Sequence, residues 1–175
     1  VSSDMAAHAF ETLIEAGADH DLKLCGMHMM DSLRIEKAFR HFGHDITEED
    51  HVLEAGLGFA VKTAKPEFVG RDAVLKKRES GLDMRMVQFK LTDSEAMMYH
   101  NEPIIRDGEI VSYVTSANYG HTLGATIGMG YVPCKGETPD QILASSYEIE
   151  IAGNRVGAQA SLRPLYDPKS ERVKA

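Results

Sequence analysis

Charged side chains interrupt an apolar stretch of the chain between residues 26 and 62, and they are the first candidates for chemistry. Asp31, Arg34 and Glu36 stand among methionine, leucine, isoleucine and phenylalanine residues. Because burying an unpaired charge is costly, each of these side chains must either form an ion pair or serve a ligand. On a helix, Asp31 can meet Arg34 and Glu36 can meet Arg40, since both spacings place the partners on one face. The residues alone are consistent both with a helix stabilised by its own ion pairs and with a ligand site.

A single carboxylate, Glu54, differs from the other acids in having small and apolar neighbours. It lies in the segment LEAGLGF, residues 53–59. It is either an ion-paired or capping glutamate, or a hydrogen-bond acceptor for a ring nitrogen of a bound ligand. The consecutive acids Glu48, Glu49 and Asp50 cannot converge as an acid–base pair, so they indicate a solvated helix start.

Three other kinds of site are not predicted. His41, His44 and His51 alternate with acids, but this run is more typical of a polar loop than of converging metal ligands, so no metal site is assigned. Ser116 lacks the G-x-S-x-G turn of a hydrolase nucleophile, and no residue receives a catalytic role. The glycines of residues 120–130 form neither a dinucleotide fingerprint nor a phosphate loop, so the chain has no FAD or NAD motif.

Composition narrows the range of partners and compartments. The 175 residues are 43% hydrophobic and 26% charged, which is typical of a globular protein, and 27 acidic against 19 basic residues give a net charge of −8. Such a surface repels phosphate backbones, so nucleic acid is not an expected partner. The N-terminal residues show no signal-peptide pattern, and no apolar run is long enough for a membrane-spanning helix. With Cys25 and Cys134 expected to be reduced thiols, a cytoplasmic location is predicted.

Helical spacing dominates the first half of the chain. Ser2, Ser3 or Asp4 can cap a helix that ends near Gly17, and a second helix is expected from about residue 26 to 39. Thr47 with Asp50 resembles a capping box that begins a short helical turn. Residues 57–61 are expected to be extended, and residues 71–79 form a third helix that stops at Ser80-Gly81.

Alternation replaces helical spacing after Gly81. Strands are predicted at residues 84–91, 104–105, 110–115, 126–132, 147–151 and 155–162. Asp107-Gly108 and Gly153-Asn154 have hairpin-turn chemistry. We therefore predict an α+β chain in which residues 1–81 form an α-rich part, residues 82–167 form a small closed antiparallel barrel or sandwich, and residues 168–175 form a tail.

Four segments of the chain, in order, carry a resemblance to a known family. They are DSLRIEKAFRHFGHDIT, LEAGLGFAVK, FVGRDAVLKK and VSYVTSANYGHTLGATIGMGYVP, which begin at residues 31, 53, 68 and 111. Together they resemble the folate-binding aminomethyltransferase family, the T-protein of the glycine cleavage system. The segment EKAFRHFGHDIT is more similar to the folate-binding part of sarcosine and dimethylglycine dehydrogenases than to T-protein itself.

The resemblance implies a fold and a function. Residues 1–81 would be the trailing part of a folate-binding α/β domain, and residues 82–167 the family's C-terminal β-barrel. The protein would transfer a one-carbon unit from an N-methyl or aminomethyl donor to tetrahydrofolate, with FAD bound only in a possible fused upstream domain. The sequence begins at Val1 without an initiator Met, and the family's catalytic Asp would lie upstream of it. This chain alone is therefore expected to be inactive, with the missing N-terminal part of the same protein as its partner.

Four residues are candidate folate contacts by this resemblance: Phe59, Met30, Arg34 and Glu54. Phe59 stands where the family tends to carry Trp or Tyr, so it can wall the folate or belong to the core. Met30 replaces a folate-contacting Arg that precedes the Asp-x-Leu-Arg run, and Arg34 can be a ligand contact or a structural ion-pair partner. The alternative function is a non-catalytic folate-binding or partner-docking module.

Overall fold

A computed structural model describes residues 1–174, which divide into two compact units, Val1–Met30 and a second unit that begins at Asp31. The first unit contains a short 3-10 helix, Ser3–Met5, then helix α1, Ala6–Gly17, and a further 3-10 turn, Ala18–His20. Helix α1 confirms the first predicted helix and its end at Gly17. The predicted side-chain cap is wrong, because neither Ser2 nor Met5 makes a side-chain capping bond.

Helix α2, Met27–Glu36, is shorter than predicted. Ala38 adopts a left-handed backbone with φ of +52°, and the N–H groups of Ala38 and Phe39 close the helix end on the carbonyls of Ile35 and Arg34. Arg40 therefore lies outside the helix, and the predicted Glu36–Arg40 pair is wrong. The Arg40 guanidinium instead donates to the carbonyl oxygens of Ala38 and Ala55.

Turns occupy most of residues 37–70. Thr47 and Asp50 do bond as a pair, since the Thr47 N–H and hydroxyl both donate to the Asp50 carboxylate, but they close a turn and no helix follows. The expected extended segment at 57–61 is also wrong, because Gly58–Ala60 is a 3-10 helix. Helix α3, Arg71–Ser80, confirms the third predicted helix, and Gly81 ends it with φ of +85°.

Six antiparallel strands form a closed barrel in the order β1-β4-β3-β2-β5-β6, which confirms the predicted barrel. The strands are β1 Met84–Leu91, β2 Pro103–Arg106, β3 Glu109–Gly120, β4 Ala125–Pro133, β5 Tyr147–Ile151 and β6 Asn154–Ser161. Asp107 and Gly108 form the β2–β3 turn with positive φ, as predicted. In the last hairpin the turn residues are Ala152 and Gly153, one position earlier than predicted, since Asn154 already pairs with Ile151.

Two short helices complete the described residues. Helix α4, Pro139–Ala144, was not predicted, although Thr138 and Gln141 form a reciprocal capping box that the sequence T-P-D-Q could have indicated. Helix α5, Glu171–Lys174, follows the barrel. None of the helices in residues 1–174 has the length and apolar content that a bilayer crossing requires.

Strands β1 and β4 are buried on both faces, and this arrangement positions the candidate site. Inside the barrel, Val87, Phe89 and Leu91 pack with residues of the other strands. On the outer face, Met86, Ile127 and Met129 form a second cluster with Ile35 and Ala38. The alternation predicted for β1 does not appear as alternating burial, because a second layer covers the face that would otherwise be exposed to water.

Candidate functional site

A buried ion pair fixes the position of Arg34. Its Nη1 donates to Asp45 Oδ2 at 2.6 Å and to Ser116 Oγ at 3.0 Å, and its Nε lies 3.4 Å from Asp31. The Asp45 side chain is fully buried and also accepts from Thr115 Oγ1, Ser116 Oγ and the His41 N–H. The guanidinium thus joins α2, the loop after it and β3. Of the two interpretations of Arg34, this geometry favours the structural one.

Glu54 is also bonded within the protein. Its Oε1 accepts from the N–H groups of Asp83 and Met84 and lies 2.8 Å from Lys77 Nζ. Burial acts to raise the pKa of Glu54, but the hydrogen bonds from Lys77 and from these two N–H groups outweigh it and hold the pKa below its ordinary value. The carboxylate therefore connects the turn that contains Glu54 to the start of β1 and to Lys77 of α3.

Glu54→Gln is expected to destabilise the protein in a pH-dependent way. Because the folded-state pKa of Glu54 is depressed, its stabilisation is complete above the unfolded pKa and is lost as the pH falls through the folded pKa. At pH 7 we expect a loss of about 1–2 kcal/mol in the free energy of unfolding. Urea titrations at pH 7, 4.5 and 3 measure it: the difference from wild type should shrink steadily. A difference that stays constant with pH would contradict this assignment, and Glu79→Gln, an exposed change on α3, is the matched control.

A cavity of about 730 Å³ lies beside Phe59. The side chain of Phe59 is 87% exposed on its 3-10 helix, so it belongs to the surface and not to the core. Met86, Gln88 and Met129 of the barrel's outer face line the cavity as well, together with Phe39 and residues 161–164 and 168–170. The cavity thus combines an apolar floor with an aromatic ring available for contact.

Positive charge surrounds this cavity, although the chain as a whole is acidic. Five cationic residues line it and none of its lining residues is acidic; the five are Lys37, Arg40, Arg163, Lys169 and Lys174. Within residues 1–174, no carboxylate lies within ion-pair distance of Arg40, whose hydrogen bonds go to backbone carbonyls. Burial, and then the neighbouring Arg85, lower the pKa of Arg40 from its ordinary value. A poorly neutralised cation at an apolar cavity favours an anionic ligand.

The four predicted site residues do not meet in one described cavity. Glu54 lines a second cavity of about 500 Å³ together with Asp45, Asp50 and Tyr131, whereas Phe59 lines the first. Arg34 is committed to Asp45. Met30 belongs to the other unit and is 48% exposed. Among the described residues, no three histidine, cysteine or acidic side chains are placed to hold a metal ion together.

Gln88, which the sequence did not single out, lines the first cavity, and Glu36, whose predicted partner was Arg40, is bonded elsewhere. Gln88 Nε2 donates to the carbonyl of Ile35, and its Oε1 accepts from the Leu165 N–H. Glu36 Oε1 accepts from the N–H groups of Thr122 and Leu123. Both side chains are almost completely buried, and their partners lie far away in sequence, so local spacing carried no signal for them.

Comparison with protein-family models identifies both parts of the chain. Residues 1–65 match the GCVT N-terminal domain, and residues 85–167 match the glycine cleavage T-protein C-terminal barrel domain. The chain belongs to the glycine cleavage T-protein family. This result confirms the resemblance seen in the sequence.

Curated relatives include both enzymes that act on amines and aminomethyltransferases. The chain is 42% identical over 174 residues to a 4-methylaminobutanoate oxidase (formaldehyde-forming) of Paenarthrobacter nicotinovorans, covering 99% of the chain and 20% of the relative. It is 38% identical to human mitochondrial sarcosine dehydrogenase, covering 94% and 18%. It is 41% identical to the aminomethyltransferase of Halothermothrix orenii, covering 81% and 39%. The chain therefore spans between about a fifth and two-fifths of these relatives.

A solved structure supports the fold. The glycine cleavage system aminomethyltransferase T from Bartonella henselae superposes with a TM-score of 0.77 at 23% identity, covering 94% of the chain and 45% of that protein. At this identity the likeness concerns the fold alone. It agrees with the closed barrel and the helices described above.

Proposed function

We propose that this chain supplies one wall of a tetrahydrofolate site in an aminomethyltransferase-like protein. That protein would pass a one-carbon unit from an N-methyl or aminomethyl donor to folate. The observation that carries the proposal is the cavity beside Phe59, which joins an exposed aromatic ring, an apolar floor and five cationic lining residues, of which Lys37 is paired with Asp167. Family membership supplies the reaction class, and the names of the relatives supply the amine-derived donors.

A reduced folate has the chemistry that this cavity would recognise. It consists of flat ring systems followed by a glutamyl group with two carboxylates. The rings can pack against Phe59 and the apolar floor, and the carboxylates can be neutralised by the surrounding cations. The cavity volume of about 730 Å³ is within the range of small-molecule and cofactor sites.

The chain's own residues would bind and orient the folate, while the reacting acid is proposed to lie in a part of the protein outside these 175 residues. Phe59 is the proposed ring contact, and Met30 remains a proposed contact on α2. Arg34 and Glu54, whose bonds are made within the protein, are proposed to hold the segments that form the walls. Holding the folate in an oriented, dry position is the main contribution that a protein makes to such a transfer. The chain has no FAD motif, so FAD is proposed only for a separate upstream domain.

Phe59→Ala is expected to weaken tetrahydrofolate binding about tenfold without destabilising the fold. The side chain is 87% exposed, so its removal costs little in the folded protein, whereas a lost ring contact removes about 1.4 kcal/mol of binding energy. Calorimetric titration measures this in two proteins: the 175-residue chain, and a chimera in which the chain replaces the matching residues of the Halothermothrix orenii aminomethyltransferase. Binding by the chimera is expected.

Two controls make this titration decisive. Val69→Ala removes another fully exposed apolar side chain, away from the cavity, and should leave affinity unchanged. Tetrahydropterin, which lacks the glutamyl carboxylates, should bind more weakly than tetrahydrofolate if the cations take part. A chimera that binds neither compound would overturn the folate proposal and favour the alternative of a partner-docking module.

A further inference from the structure

One wall of the cavity beside Phe59 is not part of the barrel or of the layer packed on it. Residues 164–174, which we call the C-terminal strap, follow β6 and contribute residues to the lining of the cavity. Five of the residues that line the cavity belong to the strap: Pro164, Pro168, Lys169, Ser170 and Lys174. The opposite wall consists of Phe59, the loop before it and the outer face of β1 and β4. The strap therefore forms one wall of the cavity.

The first residues of the strap are anchored to buried partners. The Leu165 N–H donates to Gln88 Oε1 at 2.9 Å, and the Tyr166 N–H donates to the Glu36 carbonyl at 3.2 Å. Gln88 and Glu36 are 3% and 1% exposed. Hydrogen bonds to such fixed, dry partners do not open without disturbing the unit, so the strap can move only beyond this point.

Lys37 holds the rest of the strap. Its Nζ donates to the Asp167 carbonyl at 2.6 Å, to Asp167 Oδ2 at 3.1 Å and to Ser170 Oγ at 3.3 Å. The side chains of Lys37 and Asp167 are 12% and 9% exposed, so this pair is shielded from water and counts for more than a surface ion pair. One ammonium group thus binds two points of the strap.

Beyond Asp167 the strap bonds mainly to itself. The Ser170 N–H donates to the Asp167 carbonyl, the Glu171 N–H to Asp167 Oδ1, and Arg172 to the Tyr166 hydroxyl. In the described part of the chain, every hydrogen bond from residues 168–174 to the remainder of the unit is made with Lys37. Asp167 and Ser170 also have positive φ values of 43° and 53°, a conformation that costs a non-glycine residue about 1 kcal/mol. The closed turn therefore depends on Lys37.

We propose that Lys37 is a positioning residue that latches the C-terminal strap over the cavity, and that the strap opens beyond Asp167 to admit an anionic ligand. The latch rests on contacts within this chain, while the identity of the ligand rests on the proposed folate function. A ligand carboxylate entering the cavity meets Lys169 and Lys174 on the strap itself, so binding draws the strap closed. Without the latch, the ligand should both enter and leave the cavity faster.

Hydrogen exchange of the ligand-free chain tests the latch independently of any ligand. In Lys37→Met, the amides of residues 169–174 should exchange about tenfold faster than in wild type, while those of β1 and β4 keep their protection. Lys37→Arg retains the charge and should restore most of the protection. Lys76→Met, an exposed change on α3, is the matched control and should have no effect. Equal exchange of residues 169–174 in Lys37→Met and wild type would overturn the proposal.

Stopped-flow binding of tetrahydrofolate to the chimera separates a latch from a simple ligand contact. If Lys37 is a latch, Lys37→Met should raise the association and dissociation rates together, by about tenfold each, with a smaller change in Kd. A rise in the dissociation rate alone would show that Lys37 only contacts the ligand, and it would overturn the gating proposal. If tetrahydrofolate binds to none of these proteins, the folate function fails, and the exchange experiment alone decides on the latch.

Discussion

Asp45→Ala is expected to lower the free energy of unfolding by about 3–5 kcal/mol, one of the largest effects of any single substitution in this chain. The change leaves the Arg34 guanidinium, whose side chain is only 15% exposed, without its close counter-charge. It also removes the acceptor of the Thr115 and Ser116 hydroxyls and of the His41 N–H. Equilibrium urea unfolding, followed by circular dichroism, measures the loss.

A double-mutant cycle separates the ion pair from the cost of a buried orphan charge. Arg34→Met with Asp45→Ala removes both charges, and it should be less destabilising than Asp45→Ala alone, because the Arg34 charge is then no longer buried without Asp45. Arg34→Met alone completes the cycle. Asp72→Ala removes a carboxylate that is 98% exposed and should change the stability by less than about 0.5 kcal/mol. If Asp45→Ala and Asp72→Ala cost the same, the pair does not hold α2 to the barrel.

Gly130→Ala is expected to prevent correct closure of the barrel and to cost several kcal/mol, about 3 or more. A Cβ at this position would lie 2.5 Å from Ile104 Cδ1 and 2.7 Å from the backbone oxygen of Tyr113. The Ile104 side chain can rotate, but the Tyr113 carbonyl is part of the strand that pairs with β4, so the sheet itself would have to move. The measurement is the midpoint of thermal unfolding together with the yield of folded protein.

Two other glycines serve as comparisons for this prediction. At Gly128 a Cβ would meet the flexible tip of Met98 at 2.7 Å and Val114 Cγ1 at 3.3 Å, so Gly128→Ala should have an intermediate cost. At Gly26 no atom lies within 4 Å, and Gly26→Ala should be nearly neutral. If the three substitutions were equally destabilising, the close approach of backbones at Gly130 could not be the cause.

Much of the barrel could be predicted from the sequence because its strands have local signals. The bounds predicted for β1 and β5 coincide with the structure, and the Asp107-Gly108 turn was expected from its residue types. The end of α2 was missed because Ala38 is an ordinary helix former. Its left-handed backbone follows from the packing of its methyl group against the outer face of the barrel, which no short window of sequence displays.

The candidate site was harder to predict than the fold. Phe59 was identified through family resemblance, and the structure places it at a cavity, whereas the closest charged partners of Arg34 and Glu54 are Asp45 and Lys77, which no helical spacing connects to them. The cations around the cavity come from positions as distant as Lys37 and Lys174. No spacing in the sequence indicates that these cations converge, or that the residues lining the cavity include no acid. Only the closed barrel and its outer layer bring them together.

The bonds that attach the outer layer to the barrel have a consequence for biosynthesis. Ser32 bonds to Tyr119, Asp45 to Ser116 and Lys37 to Asp167, across separations of 87, 71 and 130 residues. While the protein emerges from a ribosome, the partners of the residues around α2 are therefore translated much later, and the apolar side chains of α2 stay uncovered during that time. Chaperones that bind apolar nascent segments are expected to bind here, and a chain whose synthesis stops before the strap would leave Lys37 without its partners Asp167 and Ser170.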